Sequence, residues 1–128
     1  MSQMSNYLEN ALINVTLRAT SYTAPATVYV ALYTTDPTDA DTGTEVTGGS
    51  YARQSVTFGA PSNGVSTNSA DVTFPTATGS WGTVAYIGIR DASTAGNLLY
   101  QAPLTTSKAI DSGDIFKIST GNLSVTLA

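Results

Sequence analysis

The stretch Thr27-Val28-Tyr29-Val30-Ala31-Leu32-Tyr33 decides the fold. Extended backbone sends alternate side chains to opposite faces, so Val28, Val30 and Leu32 share one face and Tyr29, Ala31 and Tyr33 the other. Both faces are apolar or aromatic, which marks a central strand covered on both sides. A helix over one face and a second sheet over the other would supply that cover.

Upstream of Pro25 the period changes. Met4, Leu8, Ala11, Leu12, Val15 and Ala19 recur at the i, i+3, i+4, i+7 spacing of a single apolar stripe. This predicts one N-terminal amphipathic helix over about residues 5–19. Asn6 followed by Glu9 reads as a capping box, with Ser5 as a competing cap one residue earlier. The helix should fade by Thr20 to Thr23, where polar β-branched residues precede Pro25.

Downstream the period remains that of strands. Asp36–Gly49 is a polar loop with turn signals at Asp36-Pro37, Thr42-Gly43 and Gly48-Gly49. Tyr51–Phe58 reads as a strand with Ala52, Val56 and Phe58 on one face and Tyr51, Arg53 and Ser55 on the other. Pro61–Gly64 is a turn and Ala70–Phe74 a short strand. Trp81–Arg90 is a strong strand, with Trp81, Ala85, Ile87 and Ile89 facing the core and Val84, Tyr86, Gly88 and Arg90 opposite. Leu98–Gln101 forms a short strand, and Ile110 ends an edge segment. Asp114–Ser119 and Leu123–Leu127 read as a closing hairpin around Gly121-Asn122. About seven to eight strands at this spacing, with connections too short for crossover helices, predict an antiparallel β-sandwich, jelly-roll or Ig-like. The expected organisation is mainly β and a single domain over 1–128.

Composition narrows function by exclusion. There are five basic and nine acidic residues, and the net charge is −4. Arg18, Arg53, Arg90, Lys108 and Lys117 are scattered singly, so no basic patch exists to neutralise phosphates or an anionic bilayer. Neither nucleic acid nor a membrane is expected as a partner. Histidine and cysteine are both absent, which removes the commonest general base, the commonest transition-metal ligand and all thiol chemistry. No N-terminal segment has a signal-peptide pattern and no span is long enough for a bilayer, so synthesis in a cytoplasm is expected. Only 11% of residues are charged, and Ser and Thr make up the polar surface. A free monomer usually keeps more charge for solubility, so this skin suits a subunit covered by neighbours.

The remaining chemistry is sparse. Asp36, Asp39, Asp41 and Glu45 are the best candidates for a calcium site, but their spacing is not that of an EF-hand loop and a solvated loop accounts for them. Paired carboxylates for glycoside cleavage would have to come from Asp71, Asp91, Asp111 and Asp114, which sit at strand ends where Asp makes turns. Ser107 beside Lys108 is not placed for proton transfer by adjacency alone. The expectation is a protein that is not an enzyme, with no catalytic residues, no cofactor and no metal. Candidate contact residues are Leu8 and Leu12 on the helix stripe, Tyr51 with Arg53 on one strand, and Tyr86 with Arg90 on another. Each Tyr–Arg face equally fits an intramolecular pair with Asp91 or Glu45.

Several stretches, in order, resemble a family of small tailed-bacteriophage proteins usually labelled phage tail fibre proteins. They are Asn6–Leu12, Pro25–Thr38, Glu45–Gln54, Phe74–Ala77, Ser80–Val84, Gly96–Tyr100 and Leu104–Lys108, spread over nearly the whole chain. The helix end departs from the pattern, with Arg18-Ala19-Thr20 where glycines are usual. The resemblance implies a virion structural protein of tail-fibre type, made in a bacterial host cytoplasm. It would assemble with other virion proteins and with copies of itself as a homo-oligomer. Small size and the absence of a fibrous repeat leave open a capsid decoration (cement) protein. A third reading is a carbohydrate-binding or host-receptor-binding module that takes a host-surface glycan.

Overall fold

The computed structural model describes residues 2–127. The expected domain limits at positions 1 and 128 lie outside the described residues. The elements run β1 (Gln3–Met4), α1 (Asn6–Leu17), β2 (Val28–Tyr33), β3 (Gln54–Val56), β4 (Val65–Thr67), β5 (Val72–Thr73), β6 (Gly82–Arg90), β7 (Leu98–Ile110), β8 (Lys117–Ile118) and β9 (Ser124–Thr126). The chain is mainly β and antiparallel, with one N-terminal helix, as its patterning predicts.

β2 holds the interior place assigned to it. The main sheet has the order β1-β7-β6-β2-β3, so β2 pairs with β6 on one side and β3 on the other. Its inner face joins Val30 and Leu32 to Ile87 and Ile89 of β6, and these pack with Val72, Phe74, Phe116, Ile118 and Leu123 across the core. Burying each large side chain of this kind is worth about 1.5–3 kcal/mol, which makes the cluster the main source of stability. Phe74 and Phe116 meet edge to face at 5.6 Å, and Trp81 meets Tyr51 the same way at 5.4 Å.

The second layer is divided. It consists of two short ribbons, β4 with β9 and β5 with β8, and not one continuous sheet. The expected C-terminal hairpin is therefore corrected. Asn122 N–H donates to Ser119 and closes a turn, but β8 then pairs with β5 and β9 with β4. Asn68 explains why the two strands separate. It is buried, accepts from Leu123 N–H at 2.9 Å and donates to Ser119 at 3.1 Å, so its amide occupies the space where a tight hairpin would close.

Further strands differ from their sequence pattern: the short strand expected over Leu98–Gln101 and the edge segment ending at Ile110 are one strand, β7. In β6, Val84 and not Ala85 is buried in the core. Val84 lies opposite Lys108 and Tyr86 opposite Pro103, so Ala85 alone faces the four residues Leu104, Thr105, Thr106 and Ser107. This bulge moves the alternation of β6 out of phase below Tyr86, which a strict period of two does not anticipate. The strand expected over Tyr51–Phe58 is reduced to β3, because Tyr51 and Arg53 approach as irregular chain.

The opposite face of the sheet carries Ala31, Tyr33, Gly88, Arg90 and Leu98, all buried. Gly88 is required there, since a Cβ would lie 2.7 Å from Leu98 Cδ1 and 2.9 Å from Tyr33 Cε2. The cover over this face comes from the Asp36–Gly49 loop together with the first turn of α1. Asn6 N–H donates to Asp39 O, while Ser5 N–H donates to Leu99 O and the Ser5 hydroxyl to Leu98 O.

Candidate functional site

The loop between β2 and β3 is rich in carboxylates, and the fold assigns most of them to specific partners. Glu45 receives Arg53 through two parallel bonds, Nε to Oε2 and Nη2 to Oε1, each 2.8 Å. Tyr51 donates its hydroxyl to Glu45 Oε2 at 2.7 Å and accepts Leu32 N–H at 3.0 Å. Arg53 also donates to the carbonyls of Ala92 and Ala95, tying this loop to the β6–β7 turn. Burial pushes the Glu45 carboxyl upward, but hydrogen bonds from Arg53 and Tyr51 outweigh it and hold the group below the usual carboxylate range. Burial, reinforced by the Glu45 carboxylate, raises the Tyr51 phenol.

A second pair lies close by. Arg90 grips Asp41 through Nη1 and Nη2 at 2.8 and 2.9 Å, and also donates to Tyr33 Oη and Gly96 O. Arg90 is buried, and its Nε has no partner among the described residues. Burial works against its charge, yet the bonds to Asp41 and Tyr33 keep it firmly protonated. Gln101 bridges Gln3 and Asp39, and Asp36 accepts Thr38 N–H in a turn. Asp36, Asp39, Asp41 and Glu45 are thus directed to different partners, with none shared. No cluster of three or more His, Cys, Asp or Glu suited to a metal ion is found among the described residues.

The candidate contact residues are redistributed accordingly. Tyr51 packs its ring on Phe74 and Trp81, and Arg53 sets its guanidinium on Glu45; both are half-buried and line an open depression with Ser93, Thr94 and Ala95. Arg90 is interior and pairs with Asp41, not with Asp91, which caps the β6–β7 turn through Asn97. Tyr86 is half-buried beside Tyr33. Leu8 is 5% exposed and packs within its own chain, with Leu12 half-buried after it.

What α1 leaves open lies further along. Ile13 is 53%, Val15 41% and Leu17 79% exposed. Ser5 caps the helix by accepting Leu8 N–H at 3.2 Å, and Leu8 is the buried residue of α1 while its last residues are exposed. Its last turns are apolar on more than one side, a pattern characteristic of helices covered all round. The sequence signal was present in Ile13 and Leu17, but both lie off the stripe and a single-stripe search passes over them.

The family model described as podophage GP4 fiber I protein gp80 matches residues 3–126. The chain belongs to this family. No curated protein matches it. Membership makes it a fibre-type structural protein of a bacteriophage, and implies a virion component that interacts with other virion proteins. Within this gp80 family fold, no helix of the described residues is long and apolar enough to cross a membrane.

Proposed function

We propose that this chain is a non-enzymatic tail-fibre subunit that assembles with copies of itself through the C-terminal half of α1. The observation that carries this reading is the exposure of Ile13, Val15 and Leu17 on a helix whose only charged residue is Glu9. Exposed apolar patches rimmed by polar residues mark contact sites in soluble proteins. The internal ion pairs support the same reading. The pairing of Glu45 with Arg53 and of Asp41 with Arg90 engages these two carboxylates within the fold, where they tie loops together.

The test is the location and copy number of the subunit in purified virions, by quantitative mass spectrometry and imaging of labelled particles. A few to a few tens of copies at the tail is the expected result. Hundreds of copies on the head lattice would replace the fibre role with capsid decoration. Absence from the particle would end the structural reading altogether.

A further inference from the structure

Residues 2–17 form an arm that the rest of the chain holds at one end. Gln3 and Met4 pair with Gln101 and Tyr100 of β7, and Ser2 Oγ accepts Thr126 N–H at 3.1 Å, so the arm is bonded to β7 and to β9. Ser5 N–H donates to Leu99 O, its hydroxyl to Leu98 O, and Asn6 N–H to Asp39 O. Leu8 is the buried side chain of α1, and beyond it Ile13, Val15 and Leu17 are exposed. The seat for residues 2–8 is therefore specific, while the far end of the arm is apolar and uncovered.

The connection from this arm to β2 is long and loosely held. Arg18–Thr27 is without helix or strand, and all of it is exposed except the half-buried Tyr22 and Pro25. Arg18 and Thr20 both return their N–H groups to Asn14 O of α1, and among the described residues no backbone hydrogen bond ties Ser21–Ala26 to the rest of the chain. A linker of this length reaches about 33 Å when extended, roughly the width of a small domain. The turn that begins it is strained. Ala19 stands at φ +54°, a conformation that disfavours a residue with a Cβ by a factor of about five or more. Extending the linker releases that strain, whereas the bonds of residues 2–8 are the same whichever copy supplies them.

We propose that the arm is exchanged between two copies of this chain, residues 2–8 of each seating on β7 of the other. This rests on the reading of α1 as the self-assembly surface and says how that surface is used. Exchange of an identical element forms a closed two-fold pair with little net loss, because contacts given up in one copy are remade in the other. Two gains favour the exchanged form. Each hinge sheds the strain at Ala19, and each α1 crosses to its neighbour with Ile13, Val15 and Leu17 between two subunits instead of in solvent.

The chain has no cysteine, so an introduced thiol pair reports the exchange directly. Gln3→Cys with Gln101→Cys places two thiols at opposed positions of the β1–β7 ladder, within reach of a disulfide. Oxidised at about 100 μM, well above a micromolar dissociation constant, and then denatured, this variant should run as a covalent dimer. Mixing a chain carrying Gln3→Cys alone with one carrying Gln101→Cys alone should give the same dimer. Ala19→Gly, which relieves the hinge without exchange, should lower the dimer yield about fivefold. Thermal midpoints identify a variant that fails to fold, and Met4→Cys with Tyr100→Cys then supplies the neighbouring opposed pair. Sedimentation of the unmodified chain at the same concentration separates the two readings. Internally bridged monomers from a chain that does associate overturn the exchange and leave α1 as an assembly surface. A dimer yield indifferent to Ala19→Gly overturns it as well, since the hinge would then not drive it. A chain that never associates removes both.

Discussion

At the scale of single residues, Glu45 contributes to how the fold responds to acid. Its carboxylate is held below its ordinary range, since the bonds from Arg53 and Tyr51 outweigh the burial that pushes it up. A depressed carboxylate contributes stability that is present above its unfolded value of about 4.3 and is lost as pH falls through the folded value. Thermal unfolding midpoints should therefore decline below about pH 4.3, and Glu45→Gln should flatten that part of the decline. At neutral pH the same variant should lose about 2 kcal/mol, because it leaves the Arg53 guanidinium buried without its anion. Equal acid slopes in the two proteins would show that Glu45 is not the group responsible. Ala19 offers a prediction of the opposite sign. It takes φ +54° just past the Arg18 cap, a left-handed conformation that glycine adopts without a Cβ clash. Ala19→Gly should stabilise the protein by about 0.5–1 kcal/mol in chemical denaturation.

At the scale of elements, the helix is where legibility in the sequence was greatest and where its limit shows most clearly. Leu8 and the fading of the helix before Thr20 are readable because periodicity is a local property, whereas the cap falls on Ser5, the competing candidate, and not on the Asn6–Glu9 box, since Asn6 is already the first helical residue. β2 was readable for the same reason, with apolar residues on both faces. The β6 bulge was not, since it depends on how many residues of β7 stand opposite Ala85, a property of two strands brought together from distant positions. The Arg90–Asp41 pair was hidden likewise: charge complementarity makes Asp91 an equal candidate until the loop folds over the sheet. The helix now divides into two parts with different expected behaviour. Leu8→Asp places a charge in a site that is 5% exposed and should unfold the chain, read as loss of the cooperative thermal transition. Ile13→Asp and Leu17→Asp, at exposed positions, should keep the wild-type midpoint to within about 0.5 kcal/mol. If Leu17→Asp unfolds the protein, the end of α1 is part of the internal core after all.

At the scale of the whole molecule, low charge and divided layering have a common consequence. A net charge of −4 with 11% charged residues gives weak repulsion between copies, and the strongest charge pairs are consumed internally by Arg53 and Arg90. What remains to direct association is the apolar end of α1. Sedimentation measures whether copies join through it. The unmodified chain should show concentration-dependent association, and Ile13→Asp with Leu17→Asp in one chain should sediment as a monomer at every concentration while unfolding at the same temperature. Because contacts among apolar side chains are little screened by salt, raising ionic strength should leave the association intact, whereas an assembly held by exposed ion pairs would loosen. A wild-type chain that stays monomeric at concentrations of about 100 μM, well above a micromolar dissociation constant, would remove α1 as the self-assembly surface.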